Sequence, residues 1–217
     1  NSDLAKEITI QPIKRFDLDA AIIFSDILMV PYGLGQNVTF KKGYGPQLKD
    51  FQIDVITKVS AKTFTKNLKP VYEAIEKVSR EINKKSLIGF VGAPWTLFLY
   101  MVNKQSPKRN FSFEEIVKDE KLKNTLYGKL EEIICIHIKN QVDAGANIIQ
   151  IFDSWAGLLP EKKLEDYCYE PTKRIVEFVK KLNIPVICFP RGIDKKYADF
   201  CSLVKPDCIN IDYEVDP

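Results

Sequence analysis

Apolar runs of strand length alternate along the chain with segments of helical periodicity. Short runs of branched apolar residues are typical of strands buried on both faces, and they predict strands at 20–28, 86–91, 147–152, 185–189 and 208–212. Apolar residues at helical spacing predict helices over 4–16, 68–82, 111–144, 161–182 with a break at Pro171, and 195–203. A glycine-rich loop with a small hairpin is predicted around 38–40. Strands that alternate with helices predict parallel βαβ units.

Polar residues follow nearly every predicted strand. They are Asp26, the turn 92–96, Ser154, Arg191 and Asp212. An active site assembled from many strand ends is typical of a (β/α)8 barrel, whereas an open doubly wound sheet has one crevice. The sequence therefore predicts an α/β fold, a (β/α)8 TIM barrel with about five of its parallel strands present. Because a complete barrel needs about 250 residues, residues 1–217 are expected to form a single barrel domain that is incomplete at both ends.

Asp26 is the one charged residue in the apolar segment AAIIFSDILMVP. An unpaired buried carboxylate costs several kcal/mol or takes up a proton, so it needs exposure, donors or a ligand that favours negative charge. On a strand, Asp26 would share one face with Ile22 and Phe24. Asp26 is thus a candidate functional group, and the alternative is an aspartate that caps the next turn through its own backbone.

The segment GFVGAPWTLFLYM resembles a strand that runs directly into a helix. Free N–H groups at the start of that helix favour an anion such as a carboxylate. Tyr100 comes one turn after Thr96 on the same helix face, so its phenol is expected to reach the same cavity. Packing against the sheet is the stronger expectation for Trp95, Phe98 and Leu99.

In the segment IIQIFDSWAG, alternation puts Phe152 and Ser154 on one face. Together with Ile22 and Phe90, Phe152 would form an apolar floor below a rim of polar groups and glycine, which fits a planar or macrocyclic ligand. The chain has no GxSxG elbow and no histidine placed to activate a serine. Ser154 is therefore predicted to act by hydrogen bonding.

Composition narrows the class of protein. The 32 basic and 29 acidic residues give a net charge of +3 without a long run of one sign, which argues against a nucleic-acid partner. The five cysteines form no CxxC pair and no zinc-ligand spacing with His137, so they predict reduced thiols and no metal site. No apolar run approaches the roughly 18 residues of a membrane span. A cytoplasmic protein without a membrane partner is expected.

Three segments of the chain resemble the uroporphyrinogen decarboxylase family, namely IIFSDILMVPYGLG, GFVGAPWTLFLYM and IFDSWAGLLP. The segments DAGANIIQ, PVICFPRG and NIDYEVDP resemble it as well, and the resemblance covers essentially all 217 residues. It implies a homodimeric cytosolic (β/α)8 barrel that functions in porphyrin and haem biosynthesis. The implied reaction removes four acetate carboxyl groups of uroporphyrinogen III as CO2 and gives coproporphyrinogen III. The resemblance also implies that no metal or organic cofactor is needed.

By this resemblance, Asp26 matches the aspartate that gathers the pyrrole N–H groups of the substrate. Tyr100 matches the active-site tyrosine, and Ser154 the serine that contacts a substrate carboxylate. Ile22, Phe90 and Phe152 match the apolar floor of the family's site. The family's arginine-rich motif and active-site histidine have no counterpart in these 217 residues. Two alternatives therefore stay open, namely a corrinoid- or thiol-dependent methyltransferase on the same barrel and a non-catalytic tetrapyrrole-binding barrel.

Overall fold

The computed structural model describes residues 1–43, 45–82, 85–107 and 111–215. The strands are β1 Ala20–Ile22, β2 Val38–Lys41, β3 Gly45–Leu48, β4 Ser86–Gly92, β5 Ile148–Asp153, β6 Val186–Pro190 and β7 Cys208–Ile209. The α-helices are α1 Ser2–Phe16, α2 Met29–Gly33, α3 Ile53–Lys58, α4 Ala61–Asn67, α5 Lys69–Glu81, α6 Pro94–Asn103, α7 Phe113–Val117, α8 Glu120–Asp143, α9 Glu170–Lys181 and α10 Tyr197–Val204. Tyr44, which the sequence assigns to the hairpin loop, lies outside the described residues.

One five-stranded sheet organises the chain, with the strand order β1-β4-β5-β6-β7. Every neighbouring pair in it is parallel. Each crossover between these strands contains at least one helix, so the strands form successive βαβ units. β2 and β3 form a separate antiparallel hairpin between β1 and β4. The predicted α/β fold with five parallel strands is confirmed.

Two strands are shorter than their apolar runs predicted. β1 ends at Ile22, although the N–H of Ile23 still donates to the C=O of Ile88 on β4 (3.0 Å), and the chain then turns at Asp26, whose side chain accepts the N–H of Leu28 (2.7 Å). On the edge away from β4, the N–H of Phe24 donates to Oγ1 of Thr9 on α1 (2.9 Å). The predicted extension of this strand to residue 28 is therefore wrong. β7 ends at Ile209 rather than at residue 212.

The predicted helices divide at polar caps and not at proline. The region 111–144 contains two helices, and α8 begins after Asp119, whose side chain accepts the N–H of Leu122 (2.9 Å). The predicted break at Pro171 is wrong, because the backbone stays helical from residue 164 to residue 181 and changes only from a π-helical to an α-helical turn just before Pro171, which lies in the first turn of α9, where a proline is tolerated. A 3-10 turn and a π-helical turn precede it, at Glu161–Lys163 and Glu165–Tyr169.

The two faces of the sheet are buried to different extents. Side chains of the helix-covered face are at most 3 % exposed, and they are Ala21, Ile23, Leu87, Val91, Ile149, Ile151, Val186 and Cys188. On the opposite face, Ile22 is 44 % exposed, and Phe90 and Phe152 are half-buried. Helix α6 packs in the helix layer, where Trp95, Phe98 and Leu99 are buried as predicted. Among the described residues, the second face of the sheet is therefore the less buried one, and it carries the aromatic side chains.

A side chain completes the sheet where β1 leaves it. The C=O of Ile88 accepts from Ile23 on the β1 side, so the alternation of a strand points the N–H and C=O of Phe90 to that side as well. Gln141, on α8 and 1 % exposed, accepts the N–H of Phe90 with Oε1 and donates to its C=O with Nε2, both at 3.0 Å. This amide therefore replaces the missing strand and fixes Phe90.

Replacing Gln141 by an apolar residue of similar volume should lower the free energy of unfolding, because the hydrogen bonds of its amide to Phe90 are lost. Gln141→Leu keeps the approximate volume but leaves the N–H and C=O of Phe90 without partners, at a cost of about 1–3 kcal/mol. Urea unfolding followed by circular dichroism measures this loss. The matched control is Gln11→Leu, on the exposed surface of α1. An equal effect of the two substitutions would contradict the assigned role of the amide.

Candidate active site

A cavity of about 580 Å³ lies between α1 and the less buried face of the sheet. Its lining comes from α1, from β1 and the turn after it, and from β4 and β5, and consists of Ile8, Thr9, Pro12, Ile13, Leu18, Ala20, Ala21, Ile22, Ile23, Phe24, Ser25, Asp26, Ile27, Phe90, Phe152 and Ser154. Asp26 is the only ionisable side chain in this lining, and three hydroxyl groups are the other polar side chains. A largely apolar cavity with few polar groups is typical of a small-molecule site.

The structure brings together all the predicted site residues except Tyr100. Ile22, Asp26, Phe90, Phe152 and Ser154 line this cavity. Tyr100 is 9 % exposed and does not line it. Its ring packs edge-on against the indole of Trp155, with 6.0 Å between ring centroids. The expectation that Tyr100 lines the cavity is therefore wrong for this structure. Helical spacing predicts the face on which Tyr100 lies, but it does not reveal the contact of its ring with Trp155.

Asp26 forms a turn and faces the cavity at the same time. Its Oδ1 accepts the N–H of Leu28 (2.7 Å), and its C=O accepts the N–H of Met29 at the start of α2 (3.1 Å). Burial raises the pKa of the Asp26 carboxyl, and the hydrogen bond from Leu28 opposes part of this rise. No group among the described residues donates to Oδ2. The turn-capping alternative is therefore confirmed, and one carboxylate oxygen is still free for a ligand.

Aromatic rings form the floor of the cavity and continue across the sheet. Phe90 and Phe152 meet edge to face, with 5.6 Å between centroids, and Phe152 contacts Phe189 at 6.5 Å. The parallel register puts Phe152 directly opposite Phe189. The sequence reasoning missed Phe189, which the alternation of residues 185–189 could have identified. It also missed the α1 residues of the lining, for which no local signal exists.

Ser154 follows a buried carboxylate at the end of β5. Asp153 is 3 % exposed, and its Oδ1 accepts the hydroxyl of Thr96 in the first turn of α6 (2.6 Å). Burial raises the pKa of Asp153 to about 6, and hydrogen bonds from Thr96 and from the thiol of Cys168 oppose part of this rise. The sequence predicted that the start of α6 would be open to the anion of a ligand. In the structure this anion is the side chain of Asp153.

A second, more polar cavity of about 910 Å³ lies beyond the ends of β6 and β7. Arg191 and Asp212 line it, as their positions after predicted strands suggest. Asp212 accepts the N–H of Gly192 (2.6 Å) and the hydroxyl of Tyr197 (2.5 Å) with Oδ2. The guanidinium of Arg191 is 3.7 Å from Oδ1 of Asp212 and is 57 % exposed. Within the described part of the chain, no other acidic group pairs with this guanidinium.

His137 is part of the core. It is 3 % exposed, its Nδ1 lies 2.9 Å from the hydroxyl of Tyr72, and burial lowers its pKa to about 3. Within the described ranges, no three His, Cys, Asp or Glu side chains are grouped so that they could hold a metal ion. Over the same residues, no helix is both long and apolar enough to cross a membrane.

The parallel sheet and a cavity beside the carboxyl ends of its strands define a protein of the (β/α)8-barrel class. A methyltransferase from Methanosarcina mazei has a similar fold, with a TM-score of 0.71 at 13 % identity over 97 % of this chain and 69 % of that one. The sequence model of the family "Uroporphyrinogen decarboxylase (URO-D)" matches residues 1–217. The chain belongs to the uroporphyrinogen decarboxylase family.

Two relatives of known name give the extent of the similarity. A uroporphyrinogen decarboxylase of Rickettsia bellii is 44 % identical over 215 residues, which cover 97 % of this chain and 63 % of that protein. One from Agrobacterium fabrum is 38 % identical over 223 residues, covering 99 % of this chain and 64 % of that protein. The chain thus spans a little less than two thirds of the length of these relatives.

The structural role of Asp26 can be separated from its charge. Because burial raises the pKa of Asp26, the ionised carboxyl is less stable in the fold than in the unfolded chain, and Asp26→Asn should unfold with an equal or larger free energy than the wild type at pH 7. The asparagine keeps the acceptor for Leu28, whereas Asp26→Ala removes it and should cost about 1 kcal/mol. Urea unfolding at pH 7 measures both changes.

The pH dependence provides the control for this comparison. As the pH falls through the raised pKa and below the ordinary value of 3.8, the Asp26 carboxyl becomes protonated in both states and its penalty disappears. The wild type should therefore gain stability relative to Asp26→Asn as the solution is acidified. A wild type that loses stability relative to Asp26→Asn on acidification would show that the ionised form is favoured in the fold.

Proposed function

We propose that the protein that contains this chain is a uroporphyrinogen decarboxylase. It would remove the four acetate carboxyl groups of uroporphyrinogen III as CO2 and release coproporphyrinogen III in porphyrin and haem biosynthesis. The chain belongs to this family, and one observation on its cavity carries the proposal. Among the residues that the structure describes, Asp26 is the only ionisable side chain lining this apolar cavity with its aromatic floor, and none of them donates to its Oδ2.

The cavity suits the chemistry of a tetrapyrrole macrocycle. The pyrrole N–H groups at the centre of the ring are donors, and the free Oδ2 of Asp26 is an acceptor that can receive them. The apolar faces of the pyrrole rings match the floor made by Ile22, Phe90 and Phe152. Burial within an apolar site strengthens each such hydrogen bond because little water competes for it.

Asp26 would act on the charge that develops during decarboxylation. When a pyrrole carbon next to the acetate arm takes up a proton, the ring becomes cationic and accepts the electron pair of the breaking C–CO2 bond. A proton then adds to the resulting methylene carbon, and loss of the ring proton leaves a methyl group. A fixed carboxylate beside the ring stabilises the positive charge of these states. The substrate is thus its own electron sink, and we propose that neither metal nor organic cofactor takes part.

Two further side chains would support this reaction. Ser154 lines the cavity and is proposed to hydrogen-bond a carboxylate of the substrate. Tyr100 is proposed as the active-site tyrosine of the family pattern, with a smaller effect because it packs against Trp155 outside the cavity lining.

We also propose a cytoplasmic homodimer in which residues 1–217 contribute to a single barrel domain, without a nucleic-acid or membrane partner. The methyltransferase alternative is supported only by a shared fold at 13 % identity, whereas relatives at 38–44 % identity are named decarboxylases. No observation favours a barrel that binds tetrapyrroles without catalysis. The decarboxylase is therefore the function that we put forward.

Removing the charge of Asp26 should abolish most of the turnover while substrate binding changes less. Asp26→Asn keeps the shape and one acceptor, so it tests the charge alone, and loss of one such transition-state contact is worth about 10²–10³ in kcat. The measurement is steady-state formation of coproporphyrinogen by the product of the full reading frame that encodes this chain. Asp54→Asn, exposed on α3, is the matched control.

Two other substitutions sharpen the test. Asp26→Glu keeps the charge but moves it by one methylene in a packed site, so activity should fall by displacement. Tyr100→Phe should cost less than either change at Asp26. If Asp26→Asn turned over at the wild-type rate, the carboxylate would have only the turn-forming role and the proposed function would lose its central observation.

A further inference from the structure

Thr96 and Asp153 form a buried polar group that the proposed reaction does not use directly. Both are at most 3 % exposed, and they join the first turn of α6 to the end of β5. The hydroxyl of Thr96 donates to Oδ1 of Asp153 (2.6 Å) and accepts the N–H of Trp155 (3.1 Å). One hydroxyl therefore connects the residues on both sides of Ser154.

The main chain around Ser154 is fixed, whereas its side chain is free. The C=O of Asp153 accepts the N–H of Arg191 (3.1 Å), and the C=O of Trp155 accepts Nε1 of Trp95 (2.9 Å). The hydroxyl of Ser154 has no hydrogen-bond partner among the described residues, and it lines the cavity. Ser154 is the first residue of the turn after β5, so the direction of Asp153 toward α6 and the two anchored C=O groups set the direction in which the chain leaves the strand at Ser154.

A purely structural role explains this arrangement poorly. A buried ionisable carboxylate is costly, and apolar residues of similar volume often give an equally stable or more stable core. Thr172, another buried threonine, packs in α9 with no partner for its hydroxyl among the described residues. We therefore assign the pair of Thr96 and Asp153 a role other than core packing, namely fixing the direction in which the chain leaves β5.

We propose that Thr96 and Asp153 are positioning residues that hold Ser154 toward the cavity, where its hydroxyl contacts a carboxylate arm of the substrate. This inference rests on the proposed function for the role of Ser154. It adds the specificity element of the site, since an oriented hydroxyl favours substrates that carry a carboxylate at that position.

Thr96→Val tests the proposal, because valine matches the shape of threonine but neither donates to Asp153 nor accepts from Trp155. In the product of the full reading frame, KM for the tetrapyrrole should rise about tenfold, with a smaller change in kcat. Thr96→Ser keeps the hydroxyl and should restore KM. Thr172→Val, the matched control, should leave KM unchanged, and circular dichroism verifies folding of each variant.

A double-mutant cycle with Ser154→Ala separates positioning from general damage. If Thr96 acts through Ser154, Thr96→Val should add little to KM once Ser154 is alanine. Fully additive effects, or a normal KM in Thr96→Val, overturn the inference. A normal KM in Ser154→Ala contradicts the proposed contact of Ser154 with the substrate. If KM is normal in Ser154→Ala but raised in Thr96→Val, Thr96 acts by another route and the positioning role is overturned.

Crystal structures of the wild type and Thr96→Val test the inference without any activity. If Ser154 Oγ points toward the cavity in the wild type and away from it in Thr96→Val, the inference is supported. If Ser154 is unchanged in Thr96→Val, the inference is overturned. An inactive wild type would contradict the proposed function alone, because the structural comparison still decides whether Thr96 positions Ser154.

Discussion

The buried carboxylate of Asp153 is the constraint on which the site depends. A carboxylate at this depth is stable only with donors, and the first turn of α6 supplies them through Thr96. This contact joins β5 to the helix that follows β4, so neighbouring βαβ units are fixed to each other at the edge where the cavity opens. The apolar core holds the layers together, and this polar contact sets the direction of the strand end.

Asp26 and Asp153 occur in similar sequence contexts and have different environments. Each follows an apolar run, but Asp153 is buried beneath a helix start, whereas Asp26 caps a turn and faces a cavity. Burial raises the pKa of both carboxyls, so the direction of the shift alone does not distinguish the two residues. What distinguishes them is the surroundings of the second carboxylate oxygen. Oδ2 of Asp153 is buried and has no hydrogen-bond partner among the described residues, whereas Asp26 lines the cavity.

Local patterns predicted what local physics determines. The five parallel strands follow from side-chain periodicity. The end of β1 did not follow, because the apolar run continues past Ile22 and the contact of the Phe24 N–H with Thr9 depends on how α1 packs. Likewise the position of Tyr100 depends on Trp155 beyond the next strand, and the lining from α1 depends on how that helix packs. Five of the six predicted site residues nevertheless meet, because strand alternation alone directs most of them.

The two faces of the sheet divide stability from function. The helix-covered face is closely packed, so changes there alter the free energy of unfolding. The opposite face has its aromatic row partly exposed, and each ring left in contact with water gives up burial energy in the free chain. A ligand with an apolar face recovers that energy on binding. Under the proposed function, the exposed floor would therefore supply affinity, and Asp26 at its edge would direct this binding toward the states in which positive charge develops.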